Sequence, residues 1–251
     1  MRGGFVLERL QGLPRGWCAR VRVPPGASLF EGHFPGTPVV PGIALLVLIA
    51  DLSSEHADQQ MVPVRLRGVR FRAPARPGVL LDVRFEDGRF SVTGQDAVTV
   101  EGEMGLAAAA GDLPLADPGE TLPAPFLPHA PPALLVTGVG EGRATACLPA
   151  RSPLAHGGRV PSCVVLEAAA QGAQAAGPAE GSARGGLLVR VSEASFPAGH
   201  VLVERPFTVH VQVDGAAPPL HRFRARTAMG GGAAAVAFAV TIVDPSLLVN
   251  R

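Results

Sequence analysis

The stretch that decides the fold is FEGHFPGTPVVPG, residues 30–42, followed at once by an apolar segment that runs to about Ser53. The stretch contains three glycines and three prolines, which predicts a tight loop. The apolar segment opens with Pro41-Gly42, has the length of a helix and contains few residues that break one. Because this predicted helix is apolar nearly all round, we expect it to be wrapped by an antiparallel sheet of its own unit.

The same order of elements occurs twice along the chain. In the first half the loop and helix follow a strand-like run at Trp17–Val23 and precede four more, at Val62–Arg72, Val79–Phe85, Arg89–Thr93 and Ala97–Met104. In the second half a predicted helix at Ser162–Ala176 follows a run at Arg143–Leu148 and precedes runs at Gly186–Ala194, Phe207–Val213, Arg222–Thr227 and Ala234–Val243. This repetition indicates a duplicated α+β unit. Free sheet edges invite pairing, so we expect the two copies to join edge to edge.

An Ala- and Pro-rich stretch, Gly105–Pro132, separates the two halves and shows neither helical nor strand periodicity. We therefore predict a first unit at residues 1–110, a linker at 111–130 and a second unit at 131–251. Each unit is long enough to bury a core of its own.

Composition excludes several classes of protein. Of the 251 residues, 47% are hydrophobic and 17% charged, which favours a globular chain, and a net charge of +1 gives no sign of a nucleic-acid partner. The longest apolar run, Val39–Ala50, is shorter than a membrane span of about 20 residues, and no signal peptide is evident, so we expect a cytoplasmic protein without a membrane span. We find neither a Cys/His pattern with zinc spacing nor a nucleotide-binding glycine motif, so we expect neither a metal nor a cofactor.

The loop at residues 30–42 closely resembles the signature loop of 3-hydroxyacyl-ACP dehydratases of fatty-acid synthesis, which have the hot-dog fold. Three further stretches resemble parts of that family: VRFRAPARPGVL at 69–80, LPHAPPALLV at 127–136 and LEAAAQ at 166–171. Residues 152–171 also look like the partner subunits of two-subunit dehydratases in aryl-polyene pathways. The resemblance implies an α+β double hot-dog, in which each half is an antiparallel sheet wrapped around one central helix and the halves form a pseudo-dimer.

The two halves depart from the family in complementary ways. The family places its catalytic acid fourteen residues after the loop histidine, and Val47 stands at that distance from His33. The second half has Glu167 at the acid position, but AHGGRVP (residues 155–161) replaces the histidine loop and puts His156 only eleven residues before Glu167. In this family the histidine and the acid of one site come from different units. We therefore predict one complete site, from His33 and Glu167, and one vestigial site with His156 opposite Val47.

The resemblance implies a hydro-lyase that removes water from a 3-hydroxyacyl thioester to give the trans-2-enoyl thioester. His33 would be the base at C2 and Glu167 the acid toward the 3-hydroxyl. The backbone N–H of Gly42, at a helix N-terminus, would hold the thioester oxygen. Phe34 would shape the loop around His33, and Gln171, one helical turn after Glu167, would orient that carboxylate.

Other polar residues receive weaker interpretations. Asp51 is expected near the site or at an interface, and His129 is expected to be structural. Arginines cluster within twelve residues and are either a solvated strand face or a docking surface for an acidic acyl carrier protein and its phosphopantetheine phosphate: Arg65, Arg67, Arg70, Arg72 and Arg76.

Two other functions stay open at this point: an acyl thioesterase of the hot-dog type, and a non-catalytic partner subunit. The sequence leaves undecided the length of the acyl chain and the pathway, which could be fatty-acid, polyketide or polyene synthesis. It also leaves open whether the substrate is bound to a carrier protein or to CoA, and whether the pseudo-dimer forms a further homo-oligomer.

Overall fold

The computed structural model describes residues 4–94, 97–115, 122–123, 129–133, 135–175, 185–217, 220–230 and 232–243. The first half contains β1 (Val6–Leu13), β2 (Gly16–Arg22), α1 (Gly42–Ala57), β3 (Met61–Phe71), β4 (Leu80–Glu86), β5 (Arg89–Gly94) and β6 (Ala97–Ala108). The second half contains β7 (Leu122–Pro123), β8 (Val136–Gly140), β9 (Arg143–Ala146), β10 (Arg159–Pro161), α2 (Val165–Ala175), β11 (Gly185–Ser195), β12 (His200–Leu202), β13 (Phe207–Ala217), β14 (Leu220–Met229) and β15 (Gly232–Val243).

One antiparallel sheet runs through both halves. Its strand order is β1-β2-β4-β5-β6-β3-β11-β15-β14-β13-β9-β8-β7, and β10 pairs separately with β12. The halves join where β3 pairs with β11, with Arg70 opposite Arg190 and Arg65 opposite Ser195. This junction is the edge-to-edge pairing that the sequence predicted.

The sheet wraps both helices. Every residue of α1 from Ile43 to Ala50 is buried, and α2 is buried from Val165 to Ala173. Most buried apolar side chains of the two helices belong to one hydrophobic cluster that crosses the junction between the halves. Trp17 on β2 donates a hydrogen bond from its indole Nε1 to Ser53 Oγ of α1 over 3.2 Å. This bond links the sheet to the helix. The double hot-dog architecture is confirmed.

Several boundaries differ from the sequence-based expectation. Helix α1 continues one turn beyond Ser53, through polar residues, and ends where Asp58 adopts a left-handed conformation (φ 49°). Helix α2 begins at Val165, because Ser162–Val164 forms a turn of 3-10 helix first. Strand β1 was not predicted, since it lies at the sheet edge and its side chains are largely exposed, without an alternating apolar pattern.

Residues 112–115 and 122–123 of the segment predicted as a linker lie along the second half, whereas Ala130 at its end donates its N–H to the Gly32 carbonyl of the first half. Asp112 bridges to His200, Leu115 bridges to Met229, and β7 pairs with β8. Residues 116–121 and 124–128 of this segment lie outside the described residues, and the unit boundaries at 110 and 131 stay a prediction. None of the helices in the described part of the chain is long and apolar enough to cross a membrane.

Candidate active site

The loop before α1 holds His33 in a fixed orientation. His33 is buried, and its ring Nδ1 lies 3.1 Å from the carbonyl oxygen of Val39, whose own N–H donates to the carbonyl of His33. Because a carbonyl can only accept, Nδ1 must carry the ring proton, which leaves a lone pair on Nε2 when the ring is neutral. The loop bends at Gly32 and Gly36, which have φ values of 77° and 79° that favour glycine. The neutral ring of His33 can therefore accept a proton only at Nε2.

Helix α2 supplies the carboxyl group. Glu167 is buried on its first turn, and Gln171, one turn later, donates from Nε2 to Glu167 Oε1 over 3.0 Å. The Gln171 side chain is itself fixed, because Nε2 also donates to the carbonyl of Ala133 at 2.9 Å and Oε1 accepts from the N–H groups of Leu135 (2.8 Å) and Val136 (3.3 Å). These bonds settle which end of the amide is the donor. The contact through which Gln171 was expected to orient Glu167 is present.

The two halves bring His33 and Glu167 to one cavity of about 170 Å³. A ring nitrogen of His33 and a carboxylate oxygen of Glu167 lie within 4.8 Å of each other. Phe34 and Gly42 line the same cavity, and the Phe34 ring stacks on His33 with 4.3 Å between ring centroids. The expected meeting of residues from the two halves is thus what the structure shows, while their catalytic roles stay predictions.

His129, which was predicted to be structural, also lines this cavity. It is buried, its Nε2 lies 3.6 Å from Glu167 Oε1, and its ring lies 5.3 Å from that of His33 and 4.7 Å from that of Phe34. Its Pro-rich surroundings have no periodicity from which a position in the fold could be inferred. The available signal was the Leu-Pro-His resemblance at residues 127–129.

Burial governs the charge state of both histidines. It lowers the pKa of His33 below the usual value of 6.5, although Glu167 and the Val39 carbonyl act in the opposite direction. Burial, with a smaller effect from nearby His33, lowers the pKa of His129 to about 3. Both imidazoles are therefore neutral near pH 7.

This charge state makes stability depend on pH. Between pH 6.5 and about pH 3 the unfolded chain protonates His129 while the folded chain does not, so the free energy of unfolding falls as the pH falls. In the middle of this window His129 contributes a slope of about 1.4 kcal/mol per pH unit, and the lowered pKa of His33 acts in the same direction. We expect the free energy of unfolding, measured by chemical denaturation between pH 6 and about pH 4, to fall less steeply with falling pH in His129→Gln than in the unchanged protein. The difference in slope should be about that amount. Equal slopes would show that folded His129 takes up a proton as readily as the unfolded chain.

Gly42 is the first residue of α1, and its N–H is one of the first-turn donors that have no acceptor within the helix. A Cβ at this position would lie 2.7 Å from Cε1 of Phe71, which also lines the cavity. A side chain at Gly42 would therefore displace the Phe71 ring. At the equivalent position of the second half, Ser162 already donates its N–H to the carbonyl of Gly199 at 3.0 Å.

Replacing Gly42 tests this packing. We expect Gly42→Ala to lower kcat/KM about tenfold, because overpacking of about 1–3 kcal/mol must move the Phe71 ring into the cavity. Adding Phe71→Leu should recover most of the loss by making room for the new methyl group. Wild-type kinetics in Gly42→Ala would contradict this packing, as would failure of the second change to restore any activity.

At the predicted vestigial site, which lies among the described residues, His156 and Val47 do not share a cavity like that of His33 and Glu167. His156 is exposed and lines a surface pocket together with Asp51, Ser54 and Glu55 of α1 and with the residues that follow the helix, Asp58, Gln59 and Gln60. Val47 is 1% exposed and belongs to the hydrophobic core. His156 thus lies beside the turns that follow Val47, and Asp51 lies with it, away from the cavity of His33.

The clustered arginines are largely solvated. Arg65, Arg67, Arg70 and Arg72 are exposed and Arg76 is half-buried. Carboxylates neutralise several of them: Arg67 lies 3.6 Å from Glu193, and both Arg70 (3.9 Å) and Arg72 approach Glu101. Arg72 also lines the cavity of His33. A docking role for this surface stays a prediction.

The donor atoms of His33, His129 and Glu167 all lie within 4.8 Å of one another, and two imidazoles with a carboxylate are ligands that zinc accepts. These are the residues of the described chain that could hold a metal ion. The expectation of no metal is not tested by the structure.

Comparison with known proteins bears on the first half above all. Residues 14–103, just over a third of the chain, match the ApeI-like family, described as ApeI dehydratase. The 3-hydroxyacyl-[acyl-carrier-protein] dehydratase FabZ of Thermomicrobium roseum is 34% identical over 94 residues, or 34% of this chain and 61% of the relative. The FabZ of Chloroflexus aggregans is 33% identical over 89 residues, or 32% and 62%. The resemblance to these dehydratases is confirmed. The chain spans about three fifths of the length of these curated relatives.

Solved structures share the whole fold. The dehydratase domain from the CurJ module of curacin polyketide synthase has a TM-score of 0.65 at 10% identity, covering 96% of this chain and 98% of its own. A crystallised variant of the GphF dehydratase has a TM-score of 0.64 at 14% identity, covering 97% and 99%. At these identities the likeness establishes the double hot-dog fold, and the site must be argued from this chain's own residues.

Proposed function

We propose that this protein is a dehydratase that converts carrier-protein-bound 3-hydroxyacyl thioesters to trans-2-enoyl thioesters in fatty-acid, polyketide or polyene synthesis. The observation that carries the proposal is the meeting of the buried side chains of His33, from the first half, and Glu167, from the second, in one cavity. A base and an acid a few ångströms apart are what a reaction needs when it removes a proton and a hydroxyl from neighbouring carbons.

The reaction follows from the positions of these groups. His33 Nε2 takes the proton from C2, and the electron pair of that bond forms the double bond between C2 and C3. The bond from C3 to oxygen breaks as Glu167 gives its proton to the departing hydroxyl, which leaves as water. Negative charge that develops on the thioester oxygen is stabilised by the N–H of Gly42 at the N-terminus of α1. Transfer of the C2 proton from His33 to Glu167, directly or through water, restores the site.

The lining of the cavity fits an acyl chain. Beyond His33 and Glu167 it is mostly apolar, with side chains from both helices and from the strands at the junction: Leu45, Phe71, Ala170, Leu187 and Leu188. Arg72 lies at the same cavity and Arg76 follows it closely, so the arginine surface would meet the phosphate of a phosphopantetheine arm entering there. We therefore propose an acyl carrier protein as the partner, and we expect the reaction to take place in the cytoplasm.

The proposal is tested by incubating the purified protein with short 3-hydroxyacyl chains attached to a carrier protein. We expect loss of one water from the attached chain by mass spectrometry, and a lower KM than for the same chain on free pantetheine. Release of free thiol without an enoyl product would indicate a thioesterase. Absence of both products across several chain lengths would favour a non-catalytic partner subunit and contradict the proposal.

A further inference from the structure

A short segment of the chain contacts both halves of the proposed site. We call residues 129–133 the strap. Ala130 of the strap donates its N–H to the carbonyl of Gly32, next to His33, over 3.0 Å, and Ala133 accepts a hydrogen bond from Gln171, the partner of Glu167, over 2.9 Å. A Cβ at Gly32 would lie 1.9 Å from the Ala130 carbonyl oxygen, so glycine permits this close approach. The strap thus connects the loop that carries His33 with the helix that carries Glu167.

His129 projects from the strap into the space between these two residues. It is 6% exposed, and the rings of Phe34 and His33 lie at centroid distances of 4.7 and 5.3 Å. Its Nε2 is 3.6 Å from Glu167 Oε1, the oxygen that also accepts from Gln171. Neither the base nor the acid of the proposed reaction is His129, so its burial at this point calls for another role.

The surroundings of the ring indicate which nitrogen carries the proton. Among the described residues Nδ1 of His129 has no hydrogen-bond partner. A proton on Nδ1 would leave a buried N–H unpaired and would turn the lone pair of Nε2 toward a carboxyl oxygen, which also accepts. A proton on Nε2 points at that oxygen and leaves only the lone pair of Nδ1 without a partner. Buried acceptors without a partner are less rare in proteins than buried N–H groups without one.

We propose that His129 is a positioning residue of the composite site. This proposal rests on the function proposed above. In it, the Nε2–H of His129 and the amide of Gln171 both donate to Oε1 of Glu167. The carboxyl proton is then left on Oε2, the oxygen available to the 3-hydroxyl. The separation of 3.6 Å is longer than an ordinary hydrogen bond, and catalytic hydrogen bonds are often long until a substrate is bound. The strap places this donor next to Glu167, and its hydrogen bond from Ala130 to Gly32 fixes the position of the loop that carries His33.

Three replacements separate a donor from a packing role. The side-chain nitrogen of Gln reaches the position of the imidazole Nε2, that of Asn reaches only the position of Nδ1, and Leu has no donor. We expect His129→Leu and His129→Asn to lower kcat about 10- to 100-fold with KM changed less than about threefold, as for loss of a hydrogen bond to an ionisable group. His129→Gln should stay within about threefold of wild type. The exposed His156 provides the matched control, since His156→Leu should leave kcat unchanged.

If His129→Leu fails to fold, the kcat values of His129→Gln and His129→Asn still distinguish a hydrogen-bond donor from a packing role. Equal kcat in these two variants, whether both are high or both are low, would overturn the proposal, and wild-type kcat in a folded Leu variant would do the same. Inactivity of the unchanged protein would instead refute the proposed function.

A second measurement does not depend on activity. Nitrogen NMR of the folded protein at pH 7 should show His129 as a neutral ring protonated on Nε2. A ring protonated on Nδ1, or a charged ring, would overturn the positioning role.

Discussion

Replacing His33 with alanine is expected to lower kcat for dehydration about 1000-fold, because the variant loses the group that removes the C2 proton. The neutral ring, whose Nδ1 is bonded to the Val39 carbonyl, presents Nε2 to the cavity, and burial lowers its pKa, so it is available as a base near pH 7. The effect is measured with a 3-hydroxyacyl carrier-protein substrate at saturating concentration.

The control for this variant is His156→Ala. His156 is the exposed histidine of the second half's loop and lines a different pocket, so its loss should leave kcat unchanged. Thermal unfolding should show that His33→Ala stays folded, since the replacement removes one ring from a loop and leaves the core of both helices intact. Turnover within a few-fold of wild type in folded His33→Ala would refute the assignment of the base.

Replacing Glu167 with glutamine is expected to lower kcat about 100- to 1000-fold while binding of the acyl chain is retained. The amide has nearly the shape of the carboxyl group and can keep a contact with Gln171, but it has no proton to give to the departing hydroxyl. Binding and turnover are measured separately, by titration with the substrate and by single-turnover assays.

Glu141→Gln provides a matched control, because Glu141 lies exposed in the turn between β8 and β9. It should leave both binding and turnover unchanged. A Glu167→Gln variant that dehydrates at the wild-type rate would show that the acid is supplied by another group.

Much of the fold was accessible from the sequence because its physical causes are local. A helix that is apolar from Ile43 to Ala50 has no face for solvent and must be enclosed, and the repeated strand patterns supply the enclosing sheet. Strand β1 escaped prediction for the opposite reason. At the sheet edge it buries little, so its sequence carries no alternating apolar pattern.

The site was accessible only in part. The meeting of His33 and Glu167 could be predicted because each stands in a motif with a fixed distance to its neighbours in the sequence. The position of His129 could not, because its proximity to Glu167 arises from a strap that reaches the site through long-range hydrogen bonds with Gly32 and Gln171. No pattern within a window of residues contains that information.

The asymmetry between the halves also has a physical basis. In the second half the N–H of Ser162, equivalent to that of Gly42, is already bonded to the Gly199 carbonyl. The equivalent of Glu167 in the first half is Val47, which is part of the hydrophobic core. A second site would therefore need both a new acid and a free N–H donor, which explains why we propose one site for each chain.

The most direct test of this composite site is turnover by a mixture of His33→Ala and Glu167→Gln chains that are expressed together, so that any oligomer can form. Both residues of the site belong to one chain in the structure, so neither variant chain holds a complete pair. We predict that the mixture stays as inactive as either variant alone, while the unchanged protein dehydrates its substrate under the same conditions. Turnover restored well above that of either variant would contradict the account, because it would mean that His33 works with the carboxyl group of another chain.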